Sequence, residues 1–331
     1  MTAFELARAN LLSPVVLCFV LGAVAYWARS DLRFPEPVFN ALSIFLMLSI
    51  GLRGGAELAE GHLSQIAGPA LGALAIGCAI PLWSYPLLRR VGGFGVADAA
   101  AIAAHYGSVS AVTFAAVQTM LDRTGPPYEG FAAALLAIME VPGIVVALAL
   151  TKMAREHREA QPDREGAGLG GAMAEVLAGK SVILLVGGLV IGALVGPSGL
   201  TPVKPFFGGL FQGALCLFLL DLGRVAAGRA RDFVRVGPFL ALFAVVMPVL
   251  HAGLGILVAQ ATGLSLGGAI ILAVLAASSS YLAAPAAIRL ALPEANPGYY
   301  LTASLAITFP FNIVVGLPLY AAMAGYAYGA G

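Results

Sequence analysis

The chain is poor in charged residues. Asp, Glu, Lys and Arg make up 11% of its 331 residues, whereas hydrophobic residues make up 60% and the mean hydropathy is +0.92. A soluble domain of this length keeps about a quarter of its residues charged. The composition therefore excludes a soluble globular protein and predicts an all-α integral membrane protein with the lipid bilayer as its main solvent.

Cysteine and net charge are also scarce. The three cysteines, Cys18, Cys78 and Cys216, lie inside apolar runs, where a thiol packs as a small side chain. We therefore expect neither a disulfide framework nor a transition-metal site, and no cofactor. The net charge of +1 and the isoelectric point near 7.7 exclude the basic surface of a nucleic-acid-binding protein.

Ten apolar stretches are long enough to cross a bilayer as helices of about 20 residues. They lie at 11–28, 37–54, 66–88, 97–121, 130–151, 179–196, 206–223, 236–260, 267–290 and 299–325. A hydrophilic segment, KMAREHREAQPDREG, separates the first five spans from the last five. We therefore predict a first repeat at 1–155, a cytosolic linker at 156–175 and a second repeat at 176–331.

The two halves resemble each other in sequence. The segment from Tyr128, YEGFAAALLAIMEVPGIVVALAL, aligns with GYYLTASLAITFPFNIVVGLPLY from Gly298, and Pro142 falls opposite Pro310 at an offset of 310 − 142 = 168. Five spans per repeat invert the second copy relative to the first. Inverted repeats are typical of secondary transporters, whose substrate and ion sites lie at the bilayer midplane on interrupted helices.

Basic residues predict the orientation independently of the repeat. If the linker is cytosolic, all but four of the 18 Lys and Arg residues lie on the cytosolic side, the exceptions being Arg8, Arg53, Arg123 and Lys204. We therefore expect a multi-pass protein of a bacterial inner membrane with both termini outside the cytosol.

Polar residues interrupt spans four and nine at matching places of the two repeats. Gly107 beside serines favours unwinding of span four, and Pro285 favours the start of a new helix in span nine. The free N–H groups at such a helix start attract anions, and the carbonyl ends of broken helices suit a bare cation such as sodium. The candidate anion-binding residues are Gly107, Ser108, Ser110, Ser278, Ser279, Ser280 and Tyr281.

Spans five and ten add polar groups near Pro142 and Pro310. Glu140 aligns with Thr308, since 140 + 168 = 308, and a carboxylate in mid-span costs about 2.5 to 3.5 kcal/mol unless a cation, proton or donor meets it. This mismatch between the repeats indicates ion coupling. The candidate sodium-binding residues are His105, Thr113, Glu140, Thr308 and Asn312.

The residues leave several functions open. A symporter of another small anion, such as a carboxylate or sulfate, would use the same groups. A sodium/proton exchanger usually has paired aspartates in mid-membrane, and none of the six aspartates lies in mid-span. An enzyme would need an oriented nucleophile and base, and Ser108 with His105 has no third group to orient the histidine, so we do not expect an enzyme.

The whole chain resembles the sodium-dependent bicarbonate transporters of the SbtA type. The resemblance rests on HYGSVSAVTF (105–114), ASSSYLAAPAAIR (277–289), PEANP (293–297) and TFPFNIVVGLPLY (308–320). It implies a homotrimer in which a core domain (spans three to five and eight to ten) slides against a gate domain (spans one, two, six and seven), as in an elevator. It also implies sodium:bicarbonate symport, with bicarbonate at Ser108, Ser110, Ser278 and Ser280 and sodium at Thr113, Glu140, Thr308 and Asn312.

A cytosolic regulator of the PII-like type is a further partner that the resemblance implies. The linker is short for that family, which argues against regulation by such a protein here.

Overall fold

The computed structural model describes residues 3–60, 63–124, 126–156, 169–229 and 233–329. The fold is all-helical, with 83% of residues in helices and no strand in these ranges. This agrees with the expectation from composition, because in a bilayer a helix satisfies its own backbone hydrogen bonds.

Helices follow one another along both halves of the chain. The first half contains α1 (Ala3–Leu11), α2 (Pro14–Trp27), α3 (Glu36–Glu60), α4 (Leu63–Arg90), α5 (Val96–Gly107), α6 (Ala111–Thr124), α7 (Ala132–Met139) and α8 (Pro142–Glu156). The second half contains α9 (Leu169–Ala178), α10 (Lys180–Leu200), α11 (Lys204–Phe207), α12 (Phe211–Arg229), α13 (Phe233–Ala261), α14 (Leu266–Ala277), α15 (Ala284–Ala291), α16 (Pro297–Leu301), α17 (Phe309–Phe311) and α18 (Leu317–Ala327). Two π-helical turns, Thr302–Thr308 and Asn312–Gly316, flank α17.

Eight helical segments of the described chain are long and apolar enough to cross a membrane. They are Glu36–Glu60, Gln65–Arg90, Val96–Arg123, Ala132–Ala154, Lys180–Leu200, Lys204–Arg229, Val236–Ala261 and Pro297–Ala327. The remaining two predicted spans, the first and the ninth, correspond to the shorter apolar helices Pro14–Trp27 and Leu266–Ala277. The structure therefore has the helices of a multi-pass membrane protein.

Residues 157–168 of the predicted linker lie outside the described residues. The rest of it includes the first residues of α9, which begins at Leu169.

Helices α2, α3, α10 and α12 pack tightly in pairs, which we call the four-helix group. Helix α3 packs along α10, and α2 packs along α12. Glycines allow the backbones to touch: a Cβ on Gly22 would overlap the carbonyl oxygen of Leu220, and a Cβ on Gly192 would overlap that of Leu52. Close backbone contact through small residues is the ordinary way in which helices associate in a membrane.

The remaining long helices form a second group around α5 and α14. Helix α5 contacts α4 and α8, and α14 contacts α13 and α18. Both α5 and α14 consist largely of Ala, Ile, Leu and Gly, and every residue from Gly267 to Ala277 is buried. A helix that is apolar on all sides belongs in an interior. These two helices therefore form the centre of the second group, and both of them end inside it.

Candidate functional site

Helices α5 and α14 both end in extended residues beside each other. Helix α5 ends at Gly107 and α6 begins at Ala111, while α14 ends at Ala277 and α15 begins at Ala284. Ser108 and Ser278, which follow the two helix ends, have extended backbones with ψ of 170° and 168°. The sequence explains the interruption, because serine side chains bond nearby backbone groups and compete with the helix.

The two extended segments are hydrogen-bonded to each other. The Ser280 backbone N–H donates to the carbonyl oxygen of His105 at 2.8 Å. The Ser110 backbone N–H donates to Ser278 Oγ at 3.0 Å, and Ser278 Oγ donates to the carbonyl oxygen of Leu275 at 2.8 Å. These hydrogen bonds thus fix the segment between α5 and α6 relative to the segment between α14 and α15.

Hydroxyl groups surround the start of α6. Ser110 Oγ accepts a hydrogen bond from the Thr113 backbone N–H at 3.1 Å, as a helix cap does, and a second from Thr113 Oγ1 at 3.0 Å. Ser110 Oγ also donates to the Tyr281 hydroxyl at 3.1 Å. On the other segment, Ser280 Oγ accepts from the Ala284 N–H at 3.2 Å, at the start of α15. Two helix starts, each with a serine hydroxyl on its N–H groups, therefore lie close together.

A small cavity of about 10 Å³ lies where the two extended segments meet, a place that we call the crossing. Its polar lining comes from Ser110, Ser280, Tyr281 and Glu140 of the second group and from Ser181 of α10. This volume holds about one water molecule. The cavity is therefore the place where hydroxyls from both halves meet a carboxylate, and it has little room in this conformation.

Glu140 lies between α7 and α8 and is 4% exposed. Its carboxylate oxygen Oε2 is fully buried and has no hydrogen-bond partner in the described chain, and its backbone carbonyl oxygen accepts a hydrogen bond from Ser108 Oγ at 2.7 Å. An unpaired carboxylate at this depth is costly, so the site is one that a cation or proton would stabilise.

The two π-helical turns hold Thr308 and Asn312. Thr308 Oγ1 donates to the carbonyl oxygen of Ala244 at 2.7 Å and accepts from the Tyr106 hydroxyl at 2.6 Å. Asn312 Nδ2 donates to the last carbonyl oxygen of α14, at Ala277, at 2.9 Å. Turns of this kind are frequent at functional sites, because they widen the helix and free backbone groups.

The profile of the Na⁺-dependent bicarbonate transporter superfamily matches residues 14–325. The chain belongs to this superfamily. The family prediction made from the motifs is thereby confirmed, and no curated protein matches the chain.

In this member of the superfamily, the predicted site residues divide into those at the cavity and those away from it. Ser110, Ser280, Tyr281 and Glu140 line the cavity, and Thr113 and Ser278 bond directly to Ser110. The other predicted residues lie outside the cavity lining: His105, Gly107, Ser108, Ser279, Thr308 and Asn312. The ligand roles of both sets stay predictions.

The residues outside the lining have structural contacts of their own. The His105 ring stacks on Tyr300 at 4.5 Å between centroids, and its Nδ1 lies 2.7 Å from the carbonyl oxygen of Ala101. Gly107 touches the backbone of Gly143, which a side chain at either position would prevent. Ser279 Oγ lies 3.5 Å from the carbonyl oxygen of Ser304.

Sequence reasoning missed the part of the cavity that comes from the four-helix group. Met47 of α3 and Ser181 of α10 both line it. In the sequence, Ser181 follows Lys180 at the beginning of an apolar stretch, and it predicts only the start of a helix. Met47 lies within an apolar run and has no polar feature that distinguishes it. Only the packing of the two groups brings them to the serines.

A charged cluster joins the two groups near the loop that precedes α7. Arg53 of α3 donates to Glu57 Oε1 at 3.0 Å, to the Tyr128 hydroxyl at 3.2 Å and to Asp122 Oδ2 of α6 at 3.5 Å. Tyr128 in turn donates to Asp122 Oδ1 at 2.9 Å. Burial raises the pKa of Tyr128 above its ordinary range, so the hydroxyl keeps the proton that it donates. We call Arg53, Glu57, Asp122 and Tyr128 the charged clamp.

Proposed function

We propose that this protein is a secondary active transporter that carries bicarbonate into the cell together with sodium. The observation that carries the proposal is the crossing itself. Serine hydroxyls from both halves of the chain and one unpaired buried carboxylate line a single cavity. Membership of the superfamily supports both ions as substrates.

The anion is held by hydroxyl and backbone donors at the starts of α6 and α15. Ser110, Ser280 and Tyr281 line the cavity. The hydroxyls of Ser280 and Tyr281 can donate to the oxygens of a small planar anion, while Ser110 Oγ donates to Tyr281 and orients it. The dipoles of the two helices add partial positive charge at the same place. Ser278 positions Ser110 through the bond to its backbone N–H.

Sodium is required because Glu140 shares the cavity. A carboxylate a few ångströms from the anion repels it strongly where water is scarce. A cation on Glu140 removes this repulsion and satisfies the unpaired Oε2 atom. Sodium and bicarbonate therefore bind cooperatively, which couples the two fluxes.

Contacts between equivalent positions support two inverted five-helix repeats with ten spans. Helices α5 and α14 are related by one offset at both ends, since 266 − 96 = 170 and 277 − 107 = 170. The contact between Gly22 and Leu220 has its counterpart between Gly192 and Leu52, with offsets of 170 and 168. Trp83 donates to His251, and these two residues are 168 positions apart, as expected for a pair on the symmetry axis.

An elevator movement explains why the cavity is small in this conformation. For such a movement the four-helix group is the gate domain, and the second group is the core domain that carries the crossing. Met47 and Ser181 of the gate cover the cavity, which is too small for bicarbonate. Sliding the core past the gate uncovers the cavity without dismantling it. The homotrimer and the inner-membrane orientation with both termini outside complete the proposal and rest on the resemblance and on the basic residues.

Uptake into proteoliposomes tests the proposal. With an inward sodium gradient, the purified protein should accumulate labelled bicarbonate above the equilibrium level. With an equal potassium gradient, the label should enter only at the rate seen in protein-free liposomes. That rate measures entry as dissolved carbon dioxide. Accumulation that does not depend on sodium would contradict the proposed coupling. Accumulation of sulfate or a carboxylate in place of bicarbonate identifies another substrate, and sodium-driven alkalinisation without anion uptake identifies an exchanger.

A further inference from the structure

A second cavity, of about 110 Å³, lies between α1, α2, α6 and α18. It is separate from the crossing, because the two cavities have no lining residue in common. Its lining includes Ser13 at the start of α2, Thr119 and Arg123 of α6, and Leu317 of α18. We call it the outer cavity, since Arg123 lies on the side that the basic residues place outside the cytosol.

Four polar side chains line the outer cavity, and one of them, Asn10, donates Nδ2 to the carbonyl oxygen of Ile313 at 2.9 Å. The other three, Ser13, Thr119 and Arg123, are donors with no acceptor in the described chain. Thr119 is 6% exposed, and its hydroxyl has no hydrogen-bond partner among the residues that the structure describes. Arg123 forms no ion pair with any described residue. Ser13 Oγ accepts from the Val16 N–H at 3.2 Å, which leaves its proton free to donate. A buried hydroxyl and a guanidinium that both lack an acceptor are suited to bind an anion.

Negative charge is absent from the lining. None of the residues that line the outer cavity is acidic, and the neighbouring Asp122 is bonded to Arg53 and Tyr128 of the charged clamp. The first turn of α2 adds the N–H of Val15, because Pro14 has none and the Val16 N–H is bonded to Ser13 Oγ. The cavity therefore has room and positive potential for an anion of a few heavy atoms.

Aromatic contacts lead from α2, beside the outer cavity, to the serine crossing. Phe19, one turn further along α2 than Val15 and Val16, packs edge-on against Phe309 at 5.6 Å between centroids. Phe309 packs against Tyr281, which lines the cavity at the crossing, at 5.1 Å between ring centroids. A chain of ring contacts thus connects α2, which lines the outer cavity, with Tyr281, which lines the cavity at the crossing.

We propose that the outer cavity is a second binding site for a small oxyanion, which holds it beside Arg123 and Thr119 before it passes Phe19 and Phe309. The inference deepens the proposed function and rests on it for the direction of travel. Binding in the outer cavity does not depend on sodium, because no carboxylate lines it.

Chemical labelling tests this site without transport. Cys18, Cys78 and Cys216 are replaced by Ala, and Thr119→Cys is labelled by a cationic, membrane-impermeant thiol reagent. Bicarbonate should slow the labelling severalfold in the absence of sodium, relative to chloride at equal ionic strength. The protection should be lost in Arg123→Gln and retained in Arg8→Gln, which removes an exposed charge of the same side that does not line the cavity. Leu317→Cys reports on the same cavity if Thr119→Cys does not fold.

The outcomes separate this inference from the proposed function. Protection that survives Ser110→Ala with Ser280→Ala supports an independent site, even if the protein does not transport bicarbonate. Protection that disappears with those serines, equal labelling in bicarbonate and chloride, or no labelling from outside overturns it. In transport, Arg123→Gln should raise the KM for bicarbonate about fivefold at unchanged maximal rate, a modest effect because the guanidinium is exposed and screened.

Discussion

Bridging Arg53→Cys to Asp122→Cys with a short bifunctional thiol reagent should abolish bicarbonate uptake, and reductive release of the bridge should restore it. The two side chains meet in the charged clamp at 3.5 Å, one on α3 and the other on α6. If the core slides past the gate, this contact must break in every cycle. A covalent bridge holds the two groups together and leaves the serine crossing intact.

The native cysteines provide the matched control. The thiols of Cys18 and Cys216 contact each other on α2 and α12, which both belong to the four-helix group. In the variant with Arg53→Cys and Asp122→Cys, Cys18 and Cys216 are replaced by Ala. In the wild-type protein, the same reagent should bridge Cys18 to Cys216 within the four-helix group. Uptake should persist in the treated wild type. Full uptake by the bridged double variant would show that the two groups do not move apart.

Glu140→Gln should abolish the sodium dependence of bicarbonate binding. The amide keeps the shape of the side chain and removes the charge, so it no longer attracts sodium and no longer repels the anion. Bicarbonate should then stabilise the variant against heat equally with and without sodium, whereas sodium should increase the stabilisation of the wild type by bicarbonate. Sodium-driven uptake should fall by about a hundredfold or more, as expected when one partner of a buried ion pair is removed.

Glu60→Gln is the control for this substitution. It removes the same charge from an exposed position at the end of α3 and should change neither property. Unchanged sodium dependence in Glu140→Gln would assign the coupling ion to other groups, such as Thr308 and Asn312.

The helix ends of the site could be predicted from the sequence. Gly107 is the last residue of α5, and serines follow both α5 and α14. These features are local, because a glycine and serine side chains act on the backbone beside them. The amino-acid pattern also shows that the chain is helical and apolar enough for a bilayer.

The neighbours of these residues could not be predicted. Thr308 is aligned with Glu140, yet its hydroxyl is bonded to Tyr106 and to the carbonyl oxygen of Ala244. Ser279 stands among three serines, and the structure directs it to Ser304 rather than to the cavity. Which face of an extended segment meets which helix depends on long-range packing, and a single sequence does not contain that information.

The outer cavity illustrates the same limit. Arg123 and Thr119 are ordinary residues at the end of an apolar helix, and nothing in their spacing distinguishes them. Their contact with the start of α2 depends on how the four-helix group lies against α6 and α18. The donors become a candidate site only because that packing leaves them without acceptors.

The most direct test of the coupled crossing is the reciprocal flux. An inward bicarbonate gradient, imposed on proteoliposomes with equal sodium on both sides and with the pH clamped by a proton ionophore, should drive labelled sodium inward. Ser110→Ala with Ser280→Ala should abolish this sodium flux and bicarbonate uptake together. Sodium that stays at its equilibrium distribution, or that moves inward equally well in the double variant, would contradict the account.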